Sequence, residues 1–406
     1  MQLGFVNFSN EEKMRVAKMM QLLQESEAIE ELGIGRVRDH FSNTLFPGTS
    51  TLQHHAKYFV LLPSLYYYIA FKTRKFKSTA DVTRVIKEAE IQITRQLAKW
   101  ENGIIKTKET GITGINTLTE ALQDYTKYVK YDPAYIYGSG LARYGIIPDT
   151  RIERLILELN NKHFESPNRP SSFKSEDLTE DAGELTGDKQ LIKTCGESYD
   201  FFHGKKIDLS LTEKEASFLK DRIHDSCHGT LLYYLINNKI DIPEKISYFE
   251  LESILVEEHS EVVDIYHKSV LFSKLMHLID WIFNYSYYNS FDKSEDAEIS
   301  KQRYNLQYIQ YSTDINNMNA YTSLFEYIRS IDIRFTVFLE KCYDAILQGD
   351  LPTISQLVKE RERMVKRERS KIGNSTYKNQ QRINPVPNTF RWESVRTMVN
   401  EIRKPQ

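Results

Sequence analysis

Apolar residues recur along this chain at spacings of three and four, and several series open on a helix-start signal. Ser9 and Glu12 precede Val16, Met19, Met20 and Leu23; Thr150 and Glu153 accompany Ile152, Leu155, Ile156 and Leu159; Thr212 and Glu215 precede Ala216, Leu219 and Ile223. A hydroxyl and a carboxylate three residues apart satisfy each other's exposed backbone amides, so each pair predicts a helix N-terminus. Asp132-Pro133 predicts another, with a capping carboxylate and proline at the first helical position. Two further stripes run through Leu271, Leu275, Leu278, Ile282 and Tyr285, and through Trp392, Val395, Val399 and Ile402.

Period-two alternation is confined to Leu3–Phe8 and Ile207–Leu211, which predicts short strands. With 17 Gly and 11 Pro in 406 residues, the chain lacks the punctuation of an all-β fold. The expectation is a mainly α, multi-helix protein with only short strands. Leu118–Tyr144 adds a candidate helix-turn-helix or winged-helix element: an apolar helix, a turn near Lys130-Tyr131, then a helix opening at Asp132-Pro133. Against that reading, its second helix carries one basic residue, Arg143, and the interior glycines Gly138 and Gly140. The 25 tyrosines could stack on bases or line the boundary between core and water.

Glu165–Gly204 is rich in Ser, Pro, Asp, Glu and Gly and predicts a linker or surface excursion. The expected organisation is therefore a helical domain over 1–164, a linker over 165–204, a helical domain over 205–358 and a basic helical segment over 359–406. The most apolar run, Tyr58–Phe71, contains Pro63 and falls short of the roughly 20 residues that cross a bilayer. A buried helix is expected there. The amino terminus lacks a secretory pattern, and Cys195, Cys227 and Cys342 are sparse and odd in number, so free thiols and a cytoplasmic location are expected.

Net charge is -2, but from Lys359 onward 13 basic residues face 5 acidic ones, leaving 41 basic against 51 acidic before it. Lys366, Arg367, Arg369, Lys371, Lys378, Arg382 and Arg391, together with Arg143, are the candidate nucleic-acid contacts. The alternation of Glu360, Glu362 and Glu368 with these cations also fits a solvated helix laced with ion pairs.

Catalytic signatures are weak. His224-Asp225-Ser226-Cys227-His228, with Cys195 and His203 upstream, has zinc-compatible residue types but no second ligand pair, and reads as a helix end. Glu258, Glu261, Asp264 and His267, followed by His277 and Asp280, supply one imperfect carboxylate-x-x-His motif and read as a solvated face. Gly33-x-Gly35 and Gly138-Ser139-Gly140 match neither a phosphate loop nor a nucleophile elbow. No metal and no cofactor is expected.

Three stretches carry a resemblance. Glu31–Asp39, continuing through Leu45-Phe46-Pro47-Gly48-Thr49-Ser50-Thr51-Leu52-Gln53 to Lys57-Tyr58-Phe59, resembles the amino-terminal signature of a bacterial family of unknown function. Leu211–Leu235 is similar to that family's middle region, and Arg361-Glu362, Lys366, Arg369 and Arg391-Trp392 are similar to its tail. Ser370-Lys371-Ile372 and Phe390 depart from the tail pattern. The family's genes tend to lie in anti-phage defence islands beside helicase and nuclease genes. The resemblance therefore implies a non-catalytic defence component that binds DNA, a helicase or nuclease subunit, or both, with no membrane partner. The competing expectation is a metal-dependent nuclease or other hydrolase whose acidic and His residues meet only in three dimensions. Within the signature, Phe46–Ser50 reads as a tight turn capping a helix from Thr51. Arg36, Arg38 and Asp39 read as an ion-pair brace, with a functional surface as the alternative. Pro47, Gly48, Thr49, Ser50 and Trp392 complete the motif set.

Overall fold

The computed structural model describes residues 32–165, 191–197, 199–201, 207–255 and 260–405. It is mainly α. In chain order the helices are α1 (Gly35–Leu45), α2 (Tyr58–Lys72), α3 (Thr79–Leu97), the single turn α4 (Leu118–Ala121), α5 (Pro133–Arg143), α6 (Ile152–Glu165) and α7 (Glu213–Ser226). There follow α8 (Leu231–Asn237), α9 (Ser260–Asn289), α10 (Ser294–Ile315), α11 (Met318–Arg329), α12 (Ile333–Leu347), α13 (Leu351–Lys366) and α14 (Trp392–Arg403). The chain groups into two compact units, each drawn from separated segments: Met1–Phe41 with Asp264–Phe390, and Ser42–Val263 with Arg391–Gln406.

The start signals act as expected where they are described. Thr212 and Glu215 form a reciprocal capping box on α7, and Asp132 accepts the Tyr135 amide at the start of α5. The Ser9–Leu23 stripe and the Leu3–Phe8 alternation lie outside the described residues, as does most of the 165–204 excursion. No strand occurs among the described residues. Ile207–Leu211 is irregular chain that bends at Leu209, where the Asp208 carboxylate accepts the Ser210 amide at 3.1 Å, before the Thr212 cap. The 118–144 region holds one helical turn, α4, then a 3-10 turn at Tyr125–Lys127, then α5. The first helix of the expected pair is that single turn.

In the unit containing Ser42–Val263, α2 is the buried helix that its composition predicts. It is apolar on every side and packs against α6, α5, α3 and α7. No described helix is long and apolar enough to cross a membrane. Tyr58 and Tyr137 stack at 4.9 Å within this core, and Tyr66 is also fully buried. In the other unit α11, α12 and α13 pack in succession, with Tyr321 stacked on Tyr343 at 4.3 Å. The buried tyrosines named here serve as core aromatics.

Two glycines of α5 give opposite expectations. A Cβ on Gly140 would lie 2.4 Å from the Gly48 carbonyl oxygen and 2.7 Å from the Phe59 ring, whereas one on Gly138 meets nothing within 4 Å. Gly138→Ala should raise stability by up to about 1 kcal/mol through helix propensity. Gly140→Ala should lower stability despite the same propensity gain, because a backbone oxygen cannot swing aside. Thermal or urea denaturation of the two variants checks the sign; equal shifts would sink this account of the close contact.

Candidate functional site

The signature residues build a loop that is held from the far end of the chain. After α1, Gly48 takes a φ of 77°, a left-handed turn that favours glycine. The Thr49 hydroxyl donates to the Phe46 carbonyl at 2.7 Å, and Tyr144 Oη donates to the Pro47 carbonyl at 3.2 Å. Gln53 is fully buried, accepting the Ser50 amide at 3.1 Å and donating to the Ile136 carbonyl at 3.0 Å. The expected helix from Thr51 does not form. Regular α-helix begins at Tyr58, since the Thr49 hydroxyl faces back to Phe46 and caps nothing ahead of it.

Helix α14 closes this loop. Arg391 Nη1 donates to Asn43 Oδ1 at 2.8 Å and to the Thr49 carbonyl at 2.7 Å, and Ser394 Oγ donates to the Thr51 carbonyl at 3.1 Å. Trp392 is fully buried, stacks on Phe46 at 5.8 Å and donates Nε1–H to the Ile246 carbonyl at 3.0 Å. In the last turn of α14, Glu401 accepts the Ala56 amide at 2.6 Å and His55 Nδ1–H at 2.7 Å, while His55 Nε2–H reaches the Thr110 carbonyl at 2.6 Å.

Both acceptors around His55 lack a proton to give, so the ring is fully bonded only as imidazolium. Burial pulls its pKa down, but the hydrogen bond and charge of Glu401, the Thr110 carbonyl and Glu109 together raise it above the ordinary value of 6.5. A cation favoured by the fold stabilises below the unfolded-state pKa, and that contribution fades as pH climbs through the folded value. The stability difference between wild type and Glu401→Gln should therefore be largest near about pH 6 and shrink toward about pH 9. Urea midpoints across that range read it; a difference growing with pH would contradict the imidazolium assignment.

The Lys57 ammonium, beside the same loop, donates to both Glu215 oxygens at 2.8 and 2.7 Å and to the Ser210 carbonyl at 2.8 Å. The Tyr199 hydroxyl donates to the same carboxylate, with Cys195 Sγ 3.7 Å from that hydroxyl. On α3, Glu90 is wholly buried and accepts only the Ala134 amide, through Oε1 at 2.8 Å. Burial, reinforced by the charge of Asp132, holds its carboxyl well above the usual range, in the neutral form. Glu90 and His55 did not stand out in the sequence, and Lys57 did so only as part of the Lys57-Tyr58-Phe59 signature. Glu90 carried a signal: it falls on the stripe Val82, Ile86, Ala89, Ile93 and Leu97, where a solvated residue does not belong.

The cations of the 359–406 segment divide sharply. Arg361 is buried, donates Nε–H to the Leu32 carbonyl at 3.0 Å and lies over Phe335 and Phe338 at 5.2 and 5.7 Å. Lys366 is only 8% exposed. The Glu362 carboxylate takes the Lys371 and Ile372 amides at 2.6 and 3.1 Å, drawing the chain back after α13. Arg382 lies 4.7 Å over Phe283 and bonds Asn284 Oδ1 at 3.1 Å. Arg391 is committed to the signature loop, and Arg403 to carbonyls of Leu235, Asn238 and Ile240. Arg363, Arg367, Arg369 and Lys378 are exposed, Lys371 is half-buried, and Arg143 is exposed at the end of α5. Three of the candidates, Lys366, Arg382 and Arg391, are thus spent within the fold, as is the neighbouring Arg361.

Arg36, Arg38 and Asp39 do not form a buried brace. The Arg36 side chain is 75% exposed and 3.6 Å from Asp332, while the half-buried Arg38 pairs with its neighbour Asp39 at 3.1 Å. His224 and His228 flank the Tyr233 ring at 5.4 and 4.8 Å, and Cys227 is buried with its thiol pushed up by desolvation. Asp264 pairs with Lys268; His277 lies against Tyr311 and accepts Trp281 Nε1–H at 3.0 Å. Glu258 and His203 lie outside the described residues. Among the described residues no group of three or more His, Cys, Asp and Glu is placed to hold a metal ion.

No curated protein and no solved structure matches the chain. Residues 1–130, which include the signature loop that α14 closes, match the model of a family of unknown function, DUF6361.

Proposed function

We propose that the protein is a binding component that presents a basic surface to the phosphate backbone of DNA, in the setting its defence-island resemblance implies. That setting is cytoplasmic, beside a helicase or nuclease subunit. One observation carries the reading. Arg363 in the last turn of α13, and Arg367 and Lys378 after it, are exposed, with the exposed Arg369 and half-exposed Lys371 beside them. Glu362 ties this stretch back onto α13, and Asn374 Nδ2 bonds the Glu368 and Ser370 carbonyls at 3.2 and 3.1 Å, so the cations ride on an ordered turn. Ordered cations without a matching number of exposed acids attract polyanions and release counterions on binding.

The buried titratable groups of the other unit support a binding role, since Lys57, Glu215, His55 and Glu401 bond to one another and to backbone. The test is a salt titration of duplex DNA binding. Replacing Arg363, Arg367 and Lys378 together by Gln should flatten the slope of log K against log salt by roughly two to three units and weaken all sequences alike, at about 0.9 per phosphate contact. Lys366 is left in place because its burial would confound the result. An unchanged slope, or no wild-type binding at about 50 mM salt, would refute the reading.

A further inference from the structure

Helices α12 and α13 pack together and leave a groove lined by Ile333, Arg334, Val337 and Met364. Its three apolar residues are 59%, 40% and 65% exposed, although Phe335 and Phe338 beside them on α12 are buried. Apolar side chains that cluster on two neighbouring helices and still meet water mark a seat for a further element. The rim is basic. Arg334 lines the groove, and the exposed Arg363 and Arg367 stand one residue before Met364 and one turn after it, against the exposed Glu360 a turn earlier.

The chain itself joins the fold at this rim. The Leu32 carbonyl accepts Arg361 Nε–H at 3.0 Å, and a Cβ on Gly33 would lie 3.2 Å from Val365 Cγ2 and 3.3 Å from Arg361 Nη2. Arg361 in turn lies over Phe335 and Phe338. Val365 adjoins Met364 on α13 and Phe338 adjoins Val337 on α12, so Leu32 is pinned beside the groove and the residues before it start from there.

What precedes Leu32 fits the groove in spacing, reach and charge. Val16, Met19, Met20 and Leu23 stand at i, i+3, i+4 and i+7 behind the start signal of Ser9 and Glu12, the anchor spacing with which an amphipathic helix enters an apolar groove. Methionine is unbranched and fills irregular gaps. Residues 24–31 connect this stripe to Leu32 and can reach up to about 27 Å. A tether that short holds the stripe at an effective concentration on the order of millimolar, ahead of a competitor arriving from solution. Glu25, Glu27, Glu30 and Glu31 on the tether complement Arg334, Arg363 and Arg367. We infer that residues 9–23 seat as a helix in the α12–α13 groove of their own chain. The tether then competes with phosphate for Arg363 and Arg367, a consequence that rests on the DNA reading above; the seating itself does not.

The experiment is cysteine cross-linking in the full-length protein without DNA, so its outcome is separate from that of the salt titration. Met364→Cys is paired in turn with Val16→Cys, Met19→Cys, Met20→Cys and Leu23→Cys, and with Gln21→Cys as an off-stripe control; Cys195, Cys227 and Cys342 are buried. Mild oxidation is followed on non-reducing gels and by peptide mapping. At least one stripe pair should close within a single chain about tenfold or more faster than the Gln21 pair, because a disulfide needs Cα atoms within about 7 Å. Adding Val337→Asp, which puts a carboxylate in the groove and leaves circular dichroism unchanged, should slow that pair to the control rate. Stripe pairs no faster than the control would overturn the inference. So would an unchanged rate with Val337→Asp, or a cross-link that joins two chains, which would make the occupant a second copy.

Discussion

Lys57→Met should cost about 3–5 kcal/mol of stability, because it strands the buried Glu215 carboxylate, which pairs with no other cation among the described residues. Lys57 is 5% exposed and Glu215 1%, and the three ammonium hydrogens are fully used by the two Glu215 oxygens and the Ser210 carbonyl. Glu215 also accepts the Thr212 amide in the capping box of α7, so its position is set by the helix start as well as by the lysine. The informative comparison is the double variant Lys57→Met with Glu215→Met. It removes both charges together, and most of the loss should return, since an apolar pair of similar volume tolerates the interior. Urea denaturation of both singles and the double measures this. Single variants within about 1 kcal/mol of wild type would show that water reaches the pair, and the buried-pair account would fail.

Trp392→Ala should be comparably damaging, at about 3–5 kcal/mol, because a fully buried indole leaves a large cavity. The effect should also be local. Trp392 stacks on Phe46 and opens α14, the helix whose Arg391, Ser394 and Glu401 hold the loop from Asn43 to Ala56. Hydrogen exchange should therefore speed up at the amides of Ser50, His55 and Ala56 well before those of α2. The Ile246 carbonyl keeps Arg396 Nη1 at 3.0 Å after the indole is lost, so Trp392→Phe should recover most of the packing and show about half the loss. A Trp392→Ala protein with an unchanged urea midpoint and unchanged exchange in the loop would mean that α14 does not hold the signature residues.

The two damaging sites differ in how they could be found. Trp392 announced itself by standing at the head of the stripe Val395, Val399 and Ile402, a local pattern with helical period. Lys57 sits immediately before the apolar run of α2, where nothing local marks it as buried, and its partner lies 158 residues away. The Arg36, Arg38 and Asp39 reading failed for a related reason: apolar neighbours in sequence alternate around a helix, so they do not say which face of α1 is covered.

What the sequence determined by itself was local. Helix starts at Thr212 and Asp132, the buried α2, the amphipathic α14 and the scarcity of strands each follow from spacing, capping chemistry and side-chain shape within a few residues. The tertiary structure alone decided the fate of the charges. Arg361, Arg391 and Arg403 look in sequence like exposed cations near Arg363 and Lys378, yet their hydrogen-bond acceptors are backbone carbonyls at Leu32, Thr49 and Leu235. A guanidinium can be buried only where such acceptors converge, and their convergence depends on how segments hundreds of residues apart are packed, which no local periodicity encodes.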